Sequence, residues 1–394
     1  MPSFAARFAT LPEYPLAKIP QKKRALLERG VDVIDLGAGD ADLAPPAAAL
    51  ARMERAIHEP ALQRYGFGLG HVPYREAISA WMATRFGVHF DPMSEVVPLL
   101  GSKEGISHLA LAYLEPGAVG IIPEPGYNSY QGGTLLASGE PYRYALRPRT
   151  DFLVDLDEIP EDVLRRTRIL YLNYPNNPTA AVAPRDYLEH VVRVCRERDI
   201  CLVYDNAYSE LAFDGYVPPS IFEIEGAREV AIEFHSLSKT YNMTGWRCGW
   251  AVARPELAGT LAKVKSFVDT GQFMATQAAG VAAIESWASF VPGNVAIFRE
   301  RRDAAVAAFR AAGFECDVPR ATMYLWIKLP DGVPSVEFAD RLLDEEGVVV
   351  MSGASFGAGG EGFFRISFIT SPARITEAAQ RAGRLLGTMA AVAG

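Results

Sequence analysis

Between residues 41 and about 285 the chain alternates short apolar runs with helical stretches, and that alternation limits the architectures open to it. The runs Val96 to Leu100, Val119 to Ile122, Ile169 to Asn173, Ile200 to Asp205, Val230 to His235 and Cys248 to Ala253 read as strands. They are apolar nearly throughout rather than at every second residue, so each predicts a strand buried on both faces. Strands of that kind, separated by helices, predict an α/β fold: a mostly parallel central sheet in a large three-layer αβα body. Beyond residue 290 the pattern changes. A long helix from Asn294 to Ala312 leads into FECDVP, TMYLWIKLP, a helix at Ser335 to Glu346, VVVMSG and FFRISFI, the mixture expected of a smaller α+β body. Prolines at 2, 12, 15 and 20 predict an extended N-terminal arm, followed by a helix (Gln21 to Arg29) and a strand (Val31 to Leu36). A chain of 394 residues exceeds what one core usually serves. The expected division is 1–40 as arm and part of the small domain, 41–288 as the large domain and 289–394 as the small one.

Charge and cysteine content narrow the partners. A net charge of −8 argues against a nucleic-acid or anionic-membrane surface, both of which need clustered Lys and Arg, and leaves a small molecule as the expected partner. Cys195, Cys201, Cys248 and Cys316 show no C-x-x-C spacing, and the six histidines form no H-x-x-x-H pattern, so no metal site is expected. Unpaired thiols suit a reducing compartment, here the cytoplasm. The N-terminus lacks the apolar stretch of a signal peptide, and no run of about 18 apolar residues predicts a membrane span. Gly357, Gly359 and Gly362 satisfy G-x-G-x-x-G but precede a strand, whereas a dinucleotide site needs a strand before and a helix after. They are expected to form a turn.

In open α/β sheets ligands bind beyond the carboxyl ends of the strands, so the informative residues are polar ones that terminate apolar runs. VVPLL runs into Gly101, Ser102 and Lys103 and then a helix, which offers backbone N–H groups to a phosphate or is simply a strand-to-helix turn. In AIEFHSLSKTYNMTGWRCGW, Lys239 follows the strand by one helical turn, with Ser236 before it and Arg247 after it. Taken alone it is a surface lysine; desolvated beside a strand end it is a nucleophile toward carbonyls, and Ser and Arg suit a phosphate. CLVYD ends in Asp205, one turn before Tyr208, and a buried carboxylate needs a cationic partner: a structural salt bridge or a protonated ring nitrogen. Asn177, in YPNNPT, could donate to a ring hydroxyl or belong to a Pro-bounded turn; Tyr127, in PEPGYNSY, could stack on a ring or pack in the core. Lysine, carboxylate, amide, phenol and phosphate donors at the ends of one sheet together match the needs of one cofactor.

Y-P-N-N-P-T at 174–179, D-N-A-Y-S-E at 205–210 and S-L-S-K-T-Y-N-M-T-G-W-R at 236–247 resemble the class I/II, fold-type I pyridoxal-phosphate aminotransferases over essentially the whole chain. G-S-K-E-G-I at 101–106, F-D-G-Y at 213–216 and I-E-F-H-S-L-S-K at 232–239 resemble the bacterial-type LL-diaminopimelate aminotransferases within that group. The resemblance implies pyridoxal 5′-phosphate held as a Schiff base on Lys239, which then moves the proton; Asp205 on the ring nitrogen; Asn177 and Tyr208 on the ring hydroxyl; and Tyr127 stacked on the ring. Ser102, Lys103, Ser236 and Arg247 would hold the phosphate, joined by Tyr65 of a neighbouring subunit in a homodimer with shared active sites. Arg365 would clamp the substrate carboxylate, and Tyr14, Gly39, Lys103, Tyr127 and Asn177 would contact substrate. The implied reaction moves an amino group from an amino acid to a 2-oxo acid such as 2-oxoglutarate. Donors such as alanine, aspartate, methionine or aromatic amino acids, and a β-lyase on the same fold, stay open. The sequence departs from the family pattern at Ala41, Ala180 and a missing Pro near Met351 to Gly353, all positions that shape backbone.

Overall fold

The computed structural model describes residues 2–12, 19–67 and 70–393. In chain order the strands are β1 (Ile34–Asp35), β2 (Val96–Leu99), β3 (Val119–Glu124), β4 (Glu140–Ala145), β5 (Thr167–Leu172), β6 (Cys201–Asp205), β7 (Ala231–Ser236), β8 (Gly249–Ala253), β9 (Glu315–Cys316), β10 (Tyr324–Lys328), β11 (Val348–Val349), β12 (Met351–Ser352) and β13 (Phe363–Ser367). Seven of them form the central sheet in the order β2-β8-β7-β6-β5-β3-β4, with β8 antiparallel to both neighbours and every other pair parallel. The fold is therefore α/β with a mostly parallel sheet.

The apolar runs put successive side chains on opposite faces, which is why a strand buried on both sides must be apolar at every position. Leu170 and Leu172 of β5 and Leu202 and Tyr204 of β6 enter one core, shared with Leu188, Val191 and Val192 of the helix Arg185–Arg198. Ile169 and Tyr171, with Cys201 and Val203, enter the other, shared with Ile106 and Leu109 of the helix Ser102–Tyr113. A third core lies over the antiparallel sheet β12-β13-β10-β9. Ile34 and Leu36 join it from the N-terminal segment, where β1 pairs with β11 in parallel.

The structure corrects several expected boundaries. The strand expected over Val31 to Leu36 is only Ile34–Asp35, because β11 offers it two partners. The arm contains one helical turn, Ala6–Ala9, where an extended chain was expected. The helix expected from Asn294 starts at Trp287 and runs through Pro292 to Ala311. The edge strand β4 was not foreseen. Gly357, Gly359 and Gly362 do form turns before β13; Gly357 and Gly359 pack on Glu124, whose Oε1 accepts from Gly359 N at 3.1 Å. Among the described residues no single helix is long and apolar enough to cross a membrane.

Candidate active site

The carboxyl ends of β2, β3, β5, β6 and β7 share one edge of the sheet, and β8, running the other way, begins there. That topology brings most of the candidate residues together. Leu99 pairs with Gly249, and Gly249 with Ser236, so the turn after β2 and the end of β7 sit one strand apart. Gly101, at φ +80°, caps the helix Ser102–Tyr113, and a Cβ there would overlap the Arg247 guanidinium. Only glycine allows that approach. Arg247 donates to Leu100 O at 3.1 Å and to Thr244 O at 2.9 Å, which lays its cation over a helix N-terminus. Ser236 is buried and caps the next turn, its Oγ accepting from Ser238 N at 3.2 Å. Ser102 is half-buried and Lys103 exposed beside it. The N–H groups of a helix's first turn, a hydroxyl and a guanidinium drawn together in this way make an anion cradle.

Asp205, at the end of β6, is 5% exposed. Its Oδ2 accepts from the Tyr130 hydroxyl at 2.9 Å, while Oδ1 is buried with no partner among the described residues. Burial pushes the carboxyl up to about 6, against the hydrogen bond from Tyr130. A buried, half-satisfied carboxylate is expensive unless a cation meets it. A protonated pyridine nitrogen would supply what Oδ1 lacks, so the residues present fit pyridoxal phosphate.

Lys239, in the turn Leu237–Thr240, is half-buried, and its Nζ donates to the carbonyl of Gly39. A Cβ at Gly39 would overlap the Tyr324 hydroxyl and lie 3.5 Å from Lys239 Nζ, so the chain passes as close to the lysine as a glycine permits. Asn177 and Arg365 meet directly: Arg365 Nη1 donates to Asn177 Oδ1 and Nη2 to Gly37 O, both at 2.7 Å. That contact turns the amide nitrogen of Asn177 away from the arginine, as a donor to a ring hydroxyl requires. Asn177 N is held in turn by Asn173 Oδ1 at 2.7 Å, and Asn173 Nδ2 donates to Asp205 O at 2.7 Å, coupling the ends of β5 and β6. Tyr208 is buried with its hydroxyl 3.0 Å from that of Tyr324, and Tyr127 is half-buried, edge-on to Tyr130 at 5.7 Å.

Two candidates stand apart. Tyr65 is 73% exposed on the surface, its ring 5.5 Å from that of Phe67, and among the described residues it is not brought to the site of its own chain. Tyr14 lies outside the described residues. Three residues escaped the sequence reading: Tyr130, which follows Tyr127 by one turn; Asn173, the last residue of the ILYLN run; and Tyr324, for which no sequence signal existed.

Glu104, His108 and Asp269 come within 4.8 Å of one another in metal-ligand fashion. The ammonium of Lys265 already lies among them, 2.9 Å from Glu104 and 3.1 Å from Asp269. Burial alone would raise the Glu104 carboxyl, but His108 and Lys265 hold it below its ordinary value. The cluster ties the phosphate turn to the helix Pro255–Val268, since Glu104 also accepts from Leu100 N at 3.1 Å.

A sequence model of the family Aminotransferase class I and II matches residues 31–381. A protein of Nitratidesulfovibrio vulgaris called LL-diaminopimelate aminotransferase is 45% identical over 97% of this chain and 98% of its own length. One of the same name from Aquifex aeolicus is 44% identical over 96% and 98%. Among solved structures, a probable N-succinyldiaminopimelate aminotransferase from Thermus thermophilus superposes with a TM-score of 0.88 at 38% identity, covering 93% of this chain and 98% of that one. An aspartate aminotransferase from Thermotoga maritima gives 0.90 at 28% identity, covering 98% and 100%.

Proposed function

Because the chain belongs to the class I and II aminotransferases, a pyridoxal-phosphate-dependent family, we propose that it binds that cofactor on Lys239 and moves the amino group of LL-diaminopimelate to 2-oxoglutarate. The single observation that carries the cofactor assignment is the buried, unpartnered Oδ1 of Asp205 at the edge where Lys239 and the anion cradle converge. The donor assignment rests on the names of the relatives and on the motifs they resemble.

When bound, the cofactor supplies an electron sink for the substrate α-carbon. The chain does the rest. Ser102, Lys103, Ser236 and Arg247 would hold the phosphate at the helix N-terminus. Asp205 keeps the ring nitrogen protonated, and Asn177 and Tyr208 donate to the ring hydroxyl. Tyr127 would offer its ring as a stacking surface for the cofactor. The amine of Lys239 would attach the cofactor and, as a free amine, would carry a proton to or from the substrate α-carbon. Arg365 binds the α-carboxylate, exchanging the Asn177 and Gly37 oxygens it holds here for those of the substrate. Gly39, Lys103 and Tyr14 complete the substrate's surroundings.

A homodimer completes the site. Tyr65, Phe67, Phe267, Val268 and Phe273 are large exposed apolar side chains; Gln277 of the helix Met274–Glu285 packs against Gly70, and Gln272 just before that helix donates to Arg247 O at 3.2 Å, which ties this region to the phosphate cradle. The hydroxyl of Tyr65 would then reach the phosphate of a second copy. Residues 41–288 are proposed as the large domain and 1–40 with 289–394 as the arm and small domain, with the enzyme in the cytoplasm.

The test is a donor panel with 2-oxoglutarate: LL-diaminopimelate, alanine, aspartate, glutamate and methionine. Glutamate should form fastest with LL-diaminopimelate; a faster donor reassigns the substrate, and pyruvate with ammonia from one substrate alone would indicate a lyase. Lys239→Ala should remove the visible absorbance of the bound cofactor and its trapping by borohydride. Retention of both would remove the lysine from the chemistry.

A further inference from the structure

Tyr324 reaches the site from the other sheet. It opens β10 in the four-stranded sheet, yet its side chain, in a residue 1% exposed, ends among groups carried by β6 and β7. Its hydroxyl lies 3.0 Å from that of Tyr208. The guanidinium of Arg365 covers its ring, with Cζ 4.1 Å from the centroid. Gly39 closes a third side, adjoining both the Tyr324 hydroxyl and the Lys239 amine.

We propose that Tyr324 is a positioning residue whose hydroxyl donates to that of Tyr208 and so commits the Tyr208 proton to the ring hydroxyl of the cofactor. This rests on the role given to Tyr208 above. Each phenol has one proton to give, so in a pair of hydroxyls one donates and the other is left with its proton for a third partner. Which one donates follows from the surroundings. Tyr324 faces two cations, Arg365 across its ring and Lys239 on the other side of Gly39 from its hydroxyl, whereas Tyr208 follows the carboxylate of Asp205 by three residues. Burial raises both phenols; at Tyr324 the charges of Lys239 and Arg365 act against it, whereas at Tyr208 Tyr324 and Asp205 add to it and Arg365 opposes it. The more acidic hydroxyl is the better donor. Tyr208 then accepts from Tyr324, and a hydroxyl that accepts is polarised into a stronger donor.

The consequence is measurable in the cofactor's own titration. A hydrogen bond to the ring hydroxyl oxygen stabilises its negative charge, so the proton shared with the lysine linkage leaves at lower pH. Weakening that bond must move the midpoint up. The experiment is a pH titration of visible absorbance in the holoenzyme and in Tyr324→Phe, Tyr208→Phe and the double variant. Phenylalanine keeps the ring under Arg365, so packing is retained.

Tyr208→Phe should raise the midpoint by roughly one pH unit or more, and Tyr324→Phe by roughly half a unit. In the Tyr208→Phe background, Tyr324→Phe should add nothing. Turnover should fall in kcat with KM for the donor held, because Arg365 keeps its place. An unmoved midpoint in Tyr324→Phe overturns the proposal, as does an equal shift in both backgrounds, which would mean that Tyr324 acts without Tyr208. A wild-type protein with no visible band fails differently, removing the cofactor reading itself.

Discussion

Asp205 and Glu233 stand on adjacent strands, β6 and β7, both carboxylates shut away from water, and the fold treats them in opposite ways. Glu233 is 0% exposed and fully satisfied: Oε1 accepts from Asn206 Nδ2 at 2.9 Å and faces His235 Nε2 at 2.8 Å, and Oε2 accepts from Ser220 Oγ at 2.6 Å and Ile221 N at 2.9 Å. Asp205 has one oxygen on Tyr130 and the other without a hydrogen-bond partner among the described residues. A structural carboxylate is one the protein has finished. One left open, as Asp205 is, costs the fold stability that a cationic ligand would return.

The largest way to break that contrast is Glu233→Ala. Four donors lose their acceptor at once, and removing one partner of a buried polar cluster costs about 3–5 kcal/mol. Chemical denaturation should show the loss in full, with or without cofactor, because the partners that satisfy Glu233 all belong to the protein. A variant as stable as the parent would mean that the Glu233 cluster does not stabilise the fold.

Asp205→Asn should act in the opposite direction on the cofactor-free protein. Its carboxyl rises from 3.8 to about 6, which corresponds to about 3 kcal/mol. Below pH 3.8 both folded and unfolded chains hold the proton and the residue costs nothing. As pH rises from there to about 6, the unfolded chain releases a proton that the folded chain keeps, so stability falls across that window and stays lower above it. Asparagine has no proton to lose. The variant's advantage in denaturant midpoint should therefore be absent at the acid end and grow to about 3 kcal/mol by about pH 8. With cofactor the order should reverse, and kcat/KM should fall on the order of 100- to 1000-fold, as when one preorganised charge partner is removed. An advantage that does not change with pH would show that the open oxygen is not strained by burial.

Asp205 could be found in the sequence and Glu233 could not, and the reason is physical. Asp205 ends an apolar run, and so do Asn173 and, just beyond the strand, Lys239; an abrupt change from apolar to polar marks a strand end whatever the rest of the fold does. Glu233 sits inside IEFHS, and its partners Ser220 and Asn206 come from other elements, so nothing local announces them. The same limit hid Tyr324, which meets Tyr208 only because two sheets face each other. β4 escaped because an edge strand half open to water, EPYRYA, has no continuous apolar run. Pro292 and Gly293 read as a break, yet tertiary packing carries the helix Trp287–Ala311 through them.

The smallest expected effect tests whether strain at the site's margin belongs to its function as the open oxygen of Asp205 does. Ala180, three residues after Asn177, lies at φ +59°, where the family pattern has glycine. It is held there by neighbours: Ala180 N donates to Asn176 O, and Asn176 N to Ala181 O, both at 2.9 Å. A Cβ in that region costs about 1–2 kcal/mol, and the freer unfolded chain of a glycine returns part of that. Ala180→Gly should thus stabilise the protein by about 1 kcal/mol or less, read as a rise in denaturant midpoint with an unchanged slope. If the strain is only structural, kcat and KM should not move, since Asn177 stays tied to Asn173 and Arg365 by its own hydrogen bonds. A change in KM with no gain in stability would mean that the strained loop, like Asp205, is held out of its preferred state for the substrate's sake.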